Sequence, residues 1–135
     1  CLVDTAIGNA GDIDTAIVTM KTESGKLCQI DNSRRAVYGY DQRMEVLGSA
    51  GMAKADNVQT NTVEIWGQNH VQREKPPQFF IERYTDAYRA ELNHFVEVIE
   101  GKAEPAVTTR DGRQALALAD AALASSQSGT AQVPT

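Results

Sequence analysis

The sequence predicts an α+β fold, a mainly antiparallel β-sheet with two helices packed on one face. Three observations predict it. The first half of the chain holds short runs rich in Ile, Val, Thr and Tyr, separated by glycine-containing turns. From Gln78 onward the apolar residues change to helical spacing. The chain has 135 residues, 41% hydrophobic and 23% charged, which is the length and composition of one ordinary globular domain.

Residues 1 to 14 read as a loop with turns, on Gly8, Gly11 and the acidic Asp4, Asp12 and Asp14. Ala16 to Thr22 (AIVTMKT) alternates and predicts a strand. Glu23-Ser24-Gly25-Lys26 reads as a hairpin turn, because glycine reaches positive φ at little cost. Leu27 to Val37 predicts a second strand and Tyr38 to Gly48 a third. Gly39 inside that third run marks a bulge or a close backbone approach. Ser49-Ala50-Gly51 turns the chain, with Gly48 and Gly51 as hairpin glycines. Met52 to Ala55 and Thr62 to Trp66 are shorter strands, completing a meander of four or five.

Ile81, Tyr84, Tyr88, Leu92, Phe95, Val96 and Ile99 then lie on one face of a helix. Pro76-Pro77 fixes an extended entry, and Gly101 closes the helix. Thr108 or Thr109 caps a second helix with Asp111 in its first turn. Its apolar residues include Ala115, Leu116, Leu118, Ala119, Ala122 and Leu123, and Ser125 to Gly129 ends it. Ala131-Gln132-Val133 reads as a last short strand. Ile17 on one parity and Ala16, Val18 and Met20 on the other place apolar residues on both faces of the first strand. The sheet face left by the helices is therefore expected to be covered by another domain or a second subunit.

Charge and cysteine content narrow the function. Thirteen basic residues face 18 acidic ones, for a net charge of −5, and the longest basic cluster is Arg34-Arg35. Nucleic acid and anionic membrane surfaces are not expected as partners. No apolar run approaches the ~20 residues of a membrane helix. Cys1 and Cys28 form no disulfide framework and no zinc-ligand spacing, so no metal is expected and a reducing, cytoplasmic setting is. The opening CLVDTAIGNA, without a leading methionine, reads as a piece of a longer protein.

Few residues suggest catalysis. His70 lies in a polar stretch and reads as a surface residue, and His94 beside Phe95 reads as a half-buried structural one. There is no G-x-S-x-G elbow, no G-x-G-x-x-G and no P-loop. The distinctive run is Tyr38-Gly39-Tyr40-Asp41. On a regular strand its two tyrosines share a face and Asp41 points away. A phenol can bond a polyol hydroxyl while its ring packs on the CH face of the ligand, although tyrosine is also simply common in strands.

Arg43 to Gly51 (RMEVLGSAG) resembles the R-x-E-φ-x-G-S-x-G segment of the glucose–fructose oxidoreductase / inositol dehydrogenase / rhizopine catabolism (Gfo/Idh/MocA) family, where φ is an apolar residue. Phe80 to Gly101 and Pro105 to Ala119 resemble that family's closing helices. YGYDQ together with ERYTDAY is most similar to its inositol-oxidising branch. The resemblance implies a two-domain parent with an N-terminal Rossmann domain that binds NAD, NADP not being excluded. Residues 1–135 then form part of the C-terminal substrate-binding and oligomerisation domain.

The resemblance further implies an oxidoreductase that converts a ring hydroxyl of myo-inositol to a ketone. This piece alone would be inactive. The family's catalytic lysine, aspartate and histidine would lie before Cys1, so no catalytic and no cofactor-binding residue is expected here. Glu74-Lys75-Pro76 spells the family's E-K-P, but it follows the sheet rather than a Rossmann strand and reads as a solvated loop. The resemblance implies substrate contacts at Tyr40, which matches a tyrosine that reaches the substrate hydroxyls, and at Tyr88, which matches a helix tyrosine near the same pocket, with Tyr38 a weaker candidate. For Tyr88, core packing on the helix stripe is the competing reading. The implied partners are a small-molecule polyol and further copies of the chain, as a homodimer or homotetramer. Alternatives are a related dehydrogenase for another sugar or sugar derivative, and a non-catalytic sheet module.

Overall fold

A computed structural model describes residues 2–3 and 13–135, residues 2–3 by backbone alone. The elements are β1 (Leu2–Val3), β2 (Ile13–Lys21), β3 (Leu27–Ser33), β4 (Met44–Gly48), β5 (Gly51–Ala55), β6 (Glu64–Trp66), β7 (Val71–Arg73), α1 (Phe80–Ile99) and α2 (Thr109–Ser128). They fall into two compact units, Cys1–Arg35 with Gly101–Thr135, and Ala36–Glu100.

In the first unit β1, β2 and β3 form one antiparallel sheet in that order. The β2–β3 register runs from Thr15 opposite Ser33 to Lys21 opposite Leu27. Its turn is the expected one: Gly25 has φ 85° and donates its N–H to Thr22 O at 2.9 Å. The register also sorts the side chains. Ala16, Val18 and Met20 stand opposite Asn32, Ile30 and Cys28, whereas Ile17 and Thr19 stand opposite Asp31 and Gln29. Most of the apolar content therefore collects on one face, while Ile13, Ile17 and Leu27 lie on the other among Thr15, Thr19, Gln29 and Asp31. The free Cys28 thiol is exposed. Of the loop expected over residues 1–14, Leu2–Val3 is a strand, Ile13 and Asp14 open β2, and residues 4–12 lie outside the described residues.

α2 starts at a capping box. The N–H and the hydroxyl of Thr108 both donate to Asp111 Oδ2, each at 2.7 Å. These bonds from Thr108 hold the Asp111 carboxyl below its ordinary pKa. The helix ends at Gly129, with φ 69° and its N–H on Ser125 O. Ala131 to Val133 is not a strand, contrary to the sequence reading.

The second unit holds two hairpins and α1. β4 pairs with β5, Gly48 opposite Gly51, and β6 pairs with β7 around a turn in which Gly67 N–H donates to His70 O at 2.9 Å. Strand β7 was not legible in the sequence, and His70 is its turn residue. The fold class is α+β as expected, but the strands form three separate sheets rather than one meander. One cause is visible at the start of β4. The Gln42 N–H donates to the side chain of Asn57 instead of to a strand, so the ladder cannot extend back toward Tyr38.

α1 enters from Pro76-Pro77 through an extended Phe79 (φ −135°, ψ 151°), and Gly101 with φ 71° follows its last turn. Neither helix has a buried residue. The stripe expected on α1 is present but uncovered in this chain, with Leu92 65% and Ile99 68% exposed. Among the described residues no hydrophobic side chain is buried.

Candidate functional site

The second unit contains the Tyr38–Arg43 run, which is a turn over residues 37–39 continued by irregular backbone rather than a strand. Gly39 donates its N–H to Ala36 O at 3.1 Å and takes φ 133°. Tyr40 then donates its N–H to Pro77 O at 2.7 Å. A Cβ on Gly39 would lie 2.6 Å from Pro76 O and 3.1 Å from Pro77 O. This is the close backbone approach that a glycine in this position foreshadows. It presses the turn against the segment that leads into α1.

Asp41 is the centre of the turn. Arg43 grips its carboxylate with Nε on Oδ1 and NH2 on Oδ2, both at 2.9 Å. The Tyr38 hydroxyl donates to Oδ2 at 2.5 Å, and Asn57 Nδ2 donates to Oδ1 at 2.6 Å. Four donors on one carboxylate favour its ionised form. The Arg43 bonds first, then those of Tyr38 and Asn57, lower the Asp41 pKa to about 2. The same carboxylate raises the Tyr38 phenol above its ordinary value and strengthens the proton hold of Arg43. The expected geometry is therefore corrected: Asp41 does not point away from Tyr38 but binds it.

Tyr38, Asp41, Arg43, Lys54, Asp56 and Asn57 line a cleft of ≈ 420 Å³, with Gln59, Arg73, Glu74 and Pro76. Lys54 pairs with Asp56 at 3.0 Å. The lining holds three acidic and three basic side chains, so its charge is balanced. Such a wall, rich in donors and acceptors, suits a neutral polyhydroxy ligand better than a phosphate.

Tyr40 and Tyr88 do not line this cleft. They flank a third tyrosine. The Tyr40 ring meets Tyr84 edge-on at 5.9 Å and 76°, and Tyr84 meets Tyr88 at 6.1 Å and 60°. The Tyr84 hydroxyl donates to Gln42 Oε1, and the Arg83 guanidinium lies 5.6 Å from the Tyr84 ring centre. Tyr40, as the first cause, and then burial raise the Tyr84 phenol above its ordinary pKa. Tyr40 is half-buried and Tyr88 is 45% exposed. The structure thus brings Tyr40 and Tyr88 into one aromatic row and sends Tyr38 to the cleft. The sequence reading missed Tyr84 as the link, and it missed Asn57 altogether.

The remaining candidates stay apart from both features. Lys75 is exposed, with Nζ 3.4 Å from Gln78 Oε1. His94 Nδ1 lies 3.8 Å from Glu97 Oε2. No group of three or more His, Cys, Asp or Glu residues that could hold a metal occurs among the described residues. No helix of the described residues is long and apolar enough to cross a membrane. A dinucleotide needs a glycine-rich strand-to-helix turn whose N–H groups face a pyrophosphate. Here α1 follows a Pro-Pro pair, and the start of α2 already carries the Asp111 carboxylate. These residues do not fit a nicotinamide dinucleotide.

Antiparallel hairpins, two helices and a polar, charge-balanced cleft define the class: an α+β domain. Residues 4–135 match the oxidoreductase family, C-terminal alpha/beta domain (Gfo/Idh/MocA), and the chain belongs to that family. It is 50% identical over 121 residues to the myo-inositol 2-dehydrogenase of Thermotoga maritima, covering 90% of this chain and 36% of that protein. It is 49% identical over 124 residues to the inositol 2-dehydrogenase of Rhizobium meliloti, covering 92% and 38%. The crystal structure of a myo-inositol dehydrogenase from Corynebacterium glutamicum matches with a TM-score of 0.86 at 40% identity, over 96% of this chain and 39% of that one. The chain spans little more than a third of the length of these relatives.

Proposed function

We propose that the chain is part of the C-terminal, substrate-binding domain of a cytoplasmic, NAD-dependent inositol 2-dehydrogenase that oxidises a ring hydroxyl of myo-inositol to a ketone. The supporting observation is the 50% identity over 121 residues to a myo-inositol 2-dehydrogenase. The charge-balanced cleft agrees with a neutral polyol. In this reading NAD and the proton-transferring groups are held by the other part of the parent protein, and residues 1–135 alone oxidise nothing.

In this reading Tyr40 and Tyr88, which lie outside the lining of that cleft, supply phenols to a polyol pocket that the rest of the parent protein completes. Tyr88 is 45% exposed, so its phenol is accessible to a ligand, and its ring lies 6.1 Å from that of Tyr84. Tyr40 is half-buried and its ring stands edge-on against Tyr84 at 5.9 Å, which limits the directions its phenol takes before binding. The uncovered apolar faces support self-association of the parent through the sheet, as a dimer or tetramer.

Tyr40→Phe in the full-length protein tests the assignment. Removing one neutral hydrogen bond costs about 0.5–1.5 kcal/mol. The expected result is a roughly two- to tenfold loss of kcat/KM for myo-inositol with NAD. Unchanged kinetics with a lowered melting temperature would instead make Tyr40 a packing residue.

A further inference from the structure

The Tyr38–Arg43 turn is irregular backbone, and nothing in its own sequence explains how Tyr40 keeps one direction. Its far end is held from outside the motif. Asn57 sits just past β5, separated from Asp41 by 16 residues. It is half-buried. Its Oδ1 accepts the Gln42 N–H at 2.7 Å and its Nδ2 donates to Asp41 Oδ1 at 2.6 Å. Only one orientation of the amide satisfies both, since a backbone N–H needs an acceptor and a carboxylate needs a donor. One short side chain therefore ties the backbone of Gln42 and the carboxylate of Asp41, the residue before it. From Gln42 the connection continues. Gln42 Oε1 receives the Tyr84 hydroxyl, and the Tyr84 ring stands edge-on against Tyr40.

We infer that Asn57 is a positioning residue: by clasping Asp41 and Gln42 it fixes the turn that aims the Tyr40 phenol at the substrate. The inference rests on the reading that Tyr40 contacts a polyol. Asn57 works by preorganisation, because a turn free to sample other conformations must be ordered again at each binding event. Aspartate in its place would set a second carboxylate against Asp41, and serine could keep only one of the two bonds.

The test is a double-mutant cycle in the full-length protein, with myo-inositol and NAD as substrates. Asn57→Ala is expected to raise KM for myo-inositol roughly three- to tenfold while kcat stays within about twofold. In the Tyr40→Phe background the same substitution is expected to add less than about a twofold loss in kcat/KM, because the group it positions is gone. Melting temperatures of all four proteins are recorded alongside. A purely structural Asn57 would lower stability equally in both backgrounds and leave the kinetic losses additive, and that result overturns the inference. Should Asn57→Ala not fold, Asn57→Ser carries the same comparison. A wild-type protein that oxidises no inositol would overturn the functional reading and the inference with it. An active wild type with additive losses overturns the inference alone.

Discussion

Replacing Asp41 by asparagine tests the centre of the site. All four groups that meet this carboxylate are donors: Arg43 twice, Tyr38 and Asn57. Asparagine keeps one acceptor oxygen and turns an NH2 toward donors, so part of the cluster loses its partner. The carboxyl is lowered from 3.8 to about 2, which corresponds to about 2.4 kcal/mol in favour of the ionised form. Its side chain is 14% exposed and that of Arg43 is 60% exposed. Solvent screening therefore reduces the expected loss of stability to about 1–2 kcal/mol at pH 7.

The pH dependence has a definite sign. A folded-state pKa below the unfolded one contributes stability that is fully present above about pH 4 and is lost as pH falls through about 2. Asparagine mimics the protonated acid, so wild type and Asp41→Asn should converge on acidification, with about half of the gap left at pH 3. Urea unfolding of both full-length proteins at pH 6 and pH 3 measures this. A gap below about 0.3 kcal/mol at pH 6, or one that does not shrink at pH 3, would refute the hub.

Gly39→Ala should cost about 2–4 kcal/mol by denaturant midpoint, since φ 133° strains an L residue and the new Cβ would meet a backbone carbonyl at 2.6 Å. An unchanged midpoint would mean that the turn is not held against Pro76. Lys75→Ala should leave turnover within roughly twofold, because Lys75 is exposed and its ammonium bonds the Gln78 side chain. A thousandfold loss would make it the catalytic lysine that the Glu74-Lys75-Pro76 run spells. Light scattering should find the full-length protein dimeric or tetrameric, and a clean monomer would assign the uncovered apolar faces to its own remaining chain.

What the sequence determined by itself is local. The spacing from Ile81 to Ile99, the left-handed Gly101 and Gly129, the Thr108–Asp111 cap and the Gly25 turn all depend on residues within about one helical turn or hairpin of each other. Those features appear where the pattern places them. The tertiary structure decided the site. Tyr38 to Arg43 carries strand-like residues, yet hydrogen bonds to Pro77 and Asn57, distant in sequence, hold it as a turn. The same bonds reverse Asp41 toward Tyr38 and separate Tyr38 from Tyr40. Tyr84 showed only as one more residue on a helical stripe until its ring was found between Tyr40 and Tyr88. Asn57 had no signal at all, because an amide that bridges a carboxylate and an N–H gains its meaning only from partners that folding brings to it.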